Sequence, residues 1–216
     1  MVLHYIYDPF CGWCYAAAPL VGAARRALPV QAHGGGMMAG RQRRTVSPQL
    51  RDYVMPHDRR IAQLTGQPFG DAYFDGLLRD PEAVFDSAPP IAAMLAAERL
   101  AGRGLDLLSR LQTAHYVEGR RIAETPVLVE LAGTIGLEPA AFAVALEATQ
   151  GEPTLAHIED SRRRLAEVGG SGFPTFVLEQ AGRRTVLDIS AYLGRPEAWQ
   201  AFLEVSIKAG EPGPGV

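Results

Sequence analysis

Two cysteines three positions apart, Cys11-Gly12-Trp13-Cys14, stand between an apolar, aromatic run (Val2 to Tyr7) and a stretch of helical pattern, and the chain has no other cysteine. Their placement constrains the chain more than their spacing does. The first turn of a helix carries unpaired N–H groups and the positive end of the macrodipole. A thiol there gives up its proton more readily, because those dipoles stabilise the thiolate. Positions three apart share a helix face, so the second sulfur can reach the first. Three plainer readings compete with a redox role. A disulfide closing so short a loop would remove little unfolded-chain entropy and would stabilise the fold weakly. A zinc site needs two further ligands, and neither a second cysteine pair nor a paired-histidine motif is present, so no metal is expected. Chance spacing of two core cysteines is the third, since cysteine is often buried; the strand before the pair and the helix after it weigh against chance.

The segments on either side of the pair read as strand–helix–strand. Val2 to Tyr7 suits a buried strand, Asp8-Pro9-Phe10 breaks it, and Gly12 to Leu28 has helical periodicity with a kink expected at Pro19. Pro29 stops that helix, and Val30 to Gly34 forms a second strand, parallel to the first by the logic of the unit. From about Thr45 to Gln150 helical segments recur with no convincing strand. Ser47-Pro48 and Thr125-Pro126 are cap-plus-proline starts, and Met55-Pro56 ends or bends the first of these helices. Strand patterns return at Phe173 to Leu178 and Arg184 to Asp188 around Ala181-Gly182, a hairpin, flanked by helices from Pro153 to Val168 and from Pro196 to about Ile207. The expected organisation is a discontinuous α/β domain over 1–44 and 151–208, an inserted all-α subdomain over 45–150, and a disordered tail over 209–216 rich in Gly and Pro.

Bulk properties narrow the function. With 21% charged and 47% hydrophobic residues the chain has the composition of a globular protein. A net charge of −3 argues against nucleic acid as a partner. There is no apolar run of about eighteen residues, so no membrane span is expected. No basic leader precedes an apolar run at Met1-Val2-Leu3-His4, and the expected location is the cytoplasm.

Three motifs together resemble the DsbA family of thioredoxin-like proteins, and within it the FrnE-like cytoplasmic branch: Asp8-Pro9-Phe10-Cys11-Gly12-Trp13-Cys14, Gly34-Gly35-Gly36-Met37-Met38-Ala39-Gly40, and Gly172-Phe173-Pro174-Thr175-Phe176-Val177. The resemblance covers nearly the whole chain, helical insertion included, and implies a thioredoxin-like fold (β-α-β … α-β-β-α) with a large all-α insertion. Pro19 resembles the kinking proline of thioredoxin-type active-site helices. By the same resemblance Cys11 is the exposed attacking thiolate, Cys14 the more buried resolving thiol, and Gly12 and Trp13 the pair that tunes redox potential. Pro174 is implied to be a cis-proline facing the cysteines, with the Phe173 backbone free to pair with an extended substrate; the plainer alternative is a trans proline opening an edge strand.

Other features carry less. Phe10, Trp13, Phe173 and Phe176 could form an apolar rim for unfolded chains, though Phe176 reads first as core. Arg41, Arg43, Arg44 and Arg162 to Arg164 read as solvated surface. His4, His33, His57, His115 and His157 lack ligand spacing and read as surface or satisfied histidines, with His4 in the first strand a candidate electrostatic neighbour of Cys11. The expected function is thiol–disulfide exchange through Cys11 and Cys14, in the reductase or isomerase direction that a cytoplasmic location favours, on disulfide-containing or unfolded proteins. No tightly bound cofactor is expected; glutathione is a candidate thiol co-substrate, and glutathione or a thioredoxin-type reductant a candidate recycling partner. The alternatives are a glutathione-dependent isomerase or transferase of the kappa-class type, which usually carries serine in place of the first cysteine, and a chaperone-like peptide-binding module.

Overall fold

A four-stranded sheet in the order β2-β1-β5-β6 positions the cysteine pair. The computed structural model describes residues 1–209, so the expected disordered tail lies, from residue 210 on, outside the described residues. β1 (Val2–Tyr7) and β2 (Val30–Gly34) pair in parallel with Tyr5 opposite Ala32, and β5 (Thr175–Gln180) runs antiparallel to β1 with Phe176 opposite Tyr5. β6 (Arg183–Leu187) closes a hairpin with β5 through Ala181 and Gly182, at φ 48° and 77°, the left-handed pair a two-residue hairpin turn requires.

Alternation along β1 decides what each face meets. Leu3, Tyr5 and Tyr7 point into a core shared with Cys14, Leu20, Ala24, Phe176 and Trp199. The helices over this face are α1 (Gly12–Ala16), α2 (Ala18–Ala27) and α9 (Pro196–Ala209). His4 and Ile6 face the other way, toward His33 and α8 (Glu152–Glu167), which packs on β2.

The single helix expected over Gly12 to Leu28 is two helices broken at Ala17. Pro19 falls in the first turn of α2, where its missing N–H matters least, so the proline starts a helix here rather than bending one.

Between β2 and α8 lie α3 (Pro48–Thr65), α4 (Ala88–Ala101), α5 (Gly104–Tyr116), α6 (Thr125–Thr134) and α7 (Pro139–Thr149). α3 starts at Ser47, whose hydroxyl accepts the Leu50 N–H at 3.2 Å, and runs on through Pro56 to the left-handed Gly66. The all-helical reading of this stretch needs correction, because β3 (Arg44–Thr45) and β4 (Val84–Phe85) pair as a small antiparallel ladder. These helices share a second core containing Leu107, Leu111, Leu131 and Phe142. Phe10 and Tyr15, flanking the cysteines, belong to that second core, while Cys11 and Cys14 belong to the first. The cysteine turn therefore sits on the seam between sheet and inserted helices. The architecture is the thioredoxin-like α/β fold with a helical insertion.

Candidate active site

Cys11 is the N-cap of α1, and its carbonyl accepts the N–H groups of Cys14 and Tyr15. Both cysteines are free thiols. Cys11 keeps 7% of its surface exposed, whereas Cys14 has none. The Cys11 thiol points at the Phe173 carbonyl, 3.5 Å away. The Cys14 sulfur accepts the Asp8 N–H at 3.5 Å, and burial, with the neighbouring Cys11 sulfur next in weight, pushes its thiol well above the ordinary range. Both thiols are buried, so Cys11 is less open than the exposed thiolate expected; of the two it alone keeps any surface, and Cys14 is held protonated. On the helical side, Tyr15 stacks on Tyr116 with centroids 4.7 Å apart and donates its hydroxyl to the Pro68 carbonyl at 2.8 Å.

Asp8 ties the site together. Its Oδ1 accepts the Phe10 N–H at 2.9 Å and the Ser87 hydroxyl at 3.0 Å, and its Oδ2 accepts the Met37 N–H. Ser87 in turn accepts the Met38 N–H at 2.9 Å. One fully buried carboxyl therefore joins the end of β1, the cysteine turn, the glycine-rich loop after β2 and the start of α4. Burial pushes Asp8 up to about 6 against those hydrogen bonds.

The glycine-rich loop is a built platform. Arg162 of α8 donates from Nε to the Gly35 carbonyl (2.8 Å) and from Nη2 to the Gly36 carbonyl (2.6 Å), and His157 accepts the Gly34 N–H at 3.0 Å. Arg162 is exposed, as expected, and also ties the loop to α8 through these two bonds. Gly36 has φ 65°, which favours glycine, and a Cβ on Gly35 would overlap the Phe173 ring. The Phe173–Pro174 peptide bond is cis, and the Thr175 hydroxyl donates to the Gly172 carbonyl at 2.8 Å. Gly12, Trp13, Phe173 and Pro174 are partly exposed around Cys11.

Several residues lie elsewhere than expected. Phe10 is off the rim: it stacks on Phe85 with centroids 5.0 Å apart and meets the edge of His115 at 4.9 Å. Phe176, by contrast, is core as first read, packed between Tyr5 and Trp199. Trp13 and Phe173 are the aromatic residues left at the surface beside Cys11. His4 is no neighbour of the cysteines, since it shares a 3.0 Å hydrogen bond with His33 on the opposite sheet face. Burial first, then the facing His4, lowers His33 to about 3. His115 is buried with no partner for Nδ1 among the described residues, so it is neither surface nor satisfied.

Sequence reasoning missed Ser87, Arg162 and Asp58. Asp58 is a buried carboxyl of α3 against Gly12, bonded to the Tyr73 hydroxyl at 2.7 Å. Nothing in local pattern signals residues that reach the site from separate helices. Among the described residues no three His, Cys, Asp or Glu side chains gather as metal ligands would, and no helix is long and apolar enough to cross a membrane.

A dithiol at the start of a helix, its second cysteine the more deeply buried, facing a proline-led strand of the same sheet, defines the thioredoxin-like class with a helical insertion. No protein-family model and no curated protein matches the chain. Among solved structures it is similar to the cytosolic disulfide reductase DsbM from Pseudomonas aeruginosa, at 59% identity and a TM-score of 0.92, over 97% of this chain and 100% of that one. A structure of the same reductase with GSH matches at 58% identity and a TM-score of 0.90, over 96% of this chain and 100% of that one. Pseudomonas aeruginosa DsbA shares the fold, at 13% identity and a TM-score of 0.52 over 96% of this chain and 84% of its own. The chain belongs to the DsbA family of thioredoxin-like thiol–disulfide oxidoreductases, in its cytoplasmic branch.

Proposed function

We propose that the protein is a cytoplasmic disulfide reductase that works by dithiol–disulfide exchange, Cys11 attacking and Cys14 resolving, with glutathione as its thiol co-substrate and disulfide-containing proteins among its substrates. The observation that carries the division of labour is the asymmetry of the pair: Cys11 is partly open beside the Phe173 carbonyl, and Cys14 is fully buried with the Asp8 N–H on its sulfur. Glutathione is supported by the GSH-containing structure of the 58% identical reductase.

The Cys11 thiolate attacks one sulfur of a substrate disulfide. An S–S bond forms between Cys11 and that sulfur, the substrate S–S bond breaks, and the departing thiolate takes a proton from water. Cys14 then loses its proton and attacks the Cys11 sulfur, releasing the second substrate thiol. Two electrons have passed to the substrate, and the protein holds a Cys11–Cys14 disulfide. Two glutathione molecules reverse the change: one forms a mixed disulfide with the protein, and the second attacks the glutathione sulfur of that bond, so that the two leave joined as oxidised glutathione and the protein thiol is restored. Isomerisation uses the same first step, with a substrate thiol and not Cys14 completing the exchange. The backbone of Phe173 supports an extended partner beside Cys11, with Trp13 and the Phe173 ring as its apolar neighbours.

The test is turnover of insulin disulfides with glutathione. Cys11→Ser is expected to abolish it, and Cys14→Ser to accumulate a mixed disulfide visible by mass spectrometry. Undiminished turnover in Cys11→Ser refutes the assignment.

A further inference from the structure

A carboxyl from the inserted helices lies directly on the cysteine turn. A Cβ on Gly12 would overlap Asp58 Oδ1 and come within 3.0 Å of Ile61 Cδ1, so α3 is packed against the residue between the two cysteines. Asp58 is 5% exposed. Tyr73 donates its hydroxyl to Oδ2 at 2.7 Å, and among the described residues no hydrogen bond reaches Oδ1 and no cation pairs with the carboxyl. We propose that Asp58 is a positioning charge for the redox couple: its carboxylate opposes the Cys11 thiolate and so makes the Cys11–Cys14 pair a stronger reductant. The inference rests on the exchange reading given above.

The groups facing Asp58 are few. Tyr73 and, from α5, Tyr116 are phenols whose titration burial pushes well above the ordinary range, so both stay neutral. His57 on α3 itself adds a weak influence, and the cysteine turn completes the surroundings. Burial raises the Asp58 carboxyl to about 6, with the Tyr73 hydrogen bond and His57 opposing, so the group is ionised at neutral pH. An uncompensated carboxylate disfavours a second negative charge next to it. The thiolate exists only in the reduced protein, and the disulfide is neutral. The charge therefore destabilises the reduced state selectively, and electrons leave more readily.

The balanced equilibrium is reduced protein plus oxidised glutathione going to protein disulfide plus two glutathione molecules, a two-electron exchange. A neighbouring like charge is worth about a factor of ten in an ionisation equilibrium. Asp58→Asn keeps the shape and an acceptor for Tyr73 but removes the charge. At pH 7.5 it is expected to lower this equilibrium constant by at most about tenfold, or about 30 mV for a two-electron couple, because only the ionised fraction of the reduced protein feels the charge. At pH 5 the wild-type carboxyl is protonated, and the two proteins should coincide. Tyr73→Phe removes the hydrogen bond that favours the ionised carboxyl; its constant should lie between the other two near pH 6.5.

The measurement is the fraction oxidised in glutathione buffers at pH 5, 6.5 and 7.5, with circular dichroism establishing that each variant is folded. Equal constants at pH 7.5 overturn the inference, and so does an offset that persists unchanged at pH 5, which a packing defect would give. Failure of the exchange reading looks different: the wild type would not equilibrate with glutathione at all, and the inference would fall with it.

Discussion

Replacing Asp8 with asparagine removes one buried charge while leaving the shape of the side chain, and its effect on stability should depend on pH in a sense fixed by the structure. Asp8 has no exposed surface, and burial raises its carboxyl from 3.8 to about 6. An acid raised on folding favours the folded state fully below its unfolded value and loses that contribution as pH climbs through its folded value. From 3.8 to about 6 is roughly two pH units, and at about 1.4 kcal/mol per unit the loss is about 3 kcal/mol in the wild type. Asparagine does not titrate, so the variant is spared it. The variant has its own penalty, roughly 1–3 kcal/mol, because an amide NH2 in place of Oδ2 leaves the Met37 N–H without its acceptor. Near pH 4 the variant should therefore be the less stable protein, and by pH 7.5 the gap should have closed by about 2–3 kcal/mol. Urea unfolding of the reduced proteins across this range reads the difference directly, with unchanged slopes as the check on two-state behaviour. A difference that stays flat with pH, or one in which the wild type gains on the variant as pH rises, refutes the picture of an ionised, buried Asp8 holding the site.

Two further substitutions probe the surroundings. Gly12→Ala should cost about 1–3 kcal/mol by overpacking and slow the reduction of oxidised glutathione, because the added methyl overlaps Asp58 Oδ1 and must displace either α3 or the cysteine turn; wild-type stability and rate would show that the contact yields freely. His115 is lowered to about 3 by burial among Phe10, Phe85, Tyr73 and Tyr116, so the unfolded chain takes up a proton near 6.5 that the folded protein refuses, and stability present above 6.5 is lost as pH falls. His115→Phe should retain about 3 kcal/mol that the wild type has lost at pH 4, read as a lower midpoint of acid unfolding; an unchanged midpoint contradicts this.

What could be read along the chain was what local pattern encodes. β1 is a mainly apolar and aromatic run ahead of Asp8-Pro9, β2 is a short stretch bounded by Pro29 and the glycines from Gly34, and Ser47 caps α3 as its position before Pro48 implies. The Ala181-Gly182 hairpin follows from turn chemistry. Local pattern failed where tertiary packing decides. β3 and β4 are two residues each, too short to show a period. Pro56 was expected to end or bend α3, yet the helix continues beyond it to Thr65. Phe10 looked like a rim residue because it adjoins Cys11, but the inserted helices offer its ring a stack on Phe85. Ser87 resembles a helix cap, and its hydroxyl instead serves Asp8. Asp58 and Arg162 meet the site only through folding, from α3 and α8, and no motif around either marks it. The cysteine pair was legible from its junction, whereas the buried polar frame that supports it was not.

The division of labour between the two sulfurs can be read in one labelling experiment. The reduced wild-type protein is treated at neutral pH with less than one equivalent of iodoacetamide and digested, and the label is located by peptide mass spectrometry. The label should be found on Cys11, with Cys14 reacting only after denaturation. Label on Cys14, or divided evenly between the two, contradicts the account.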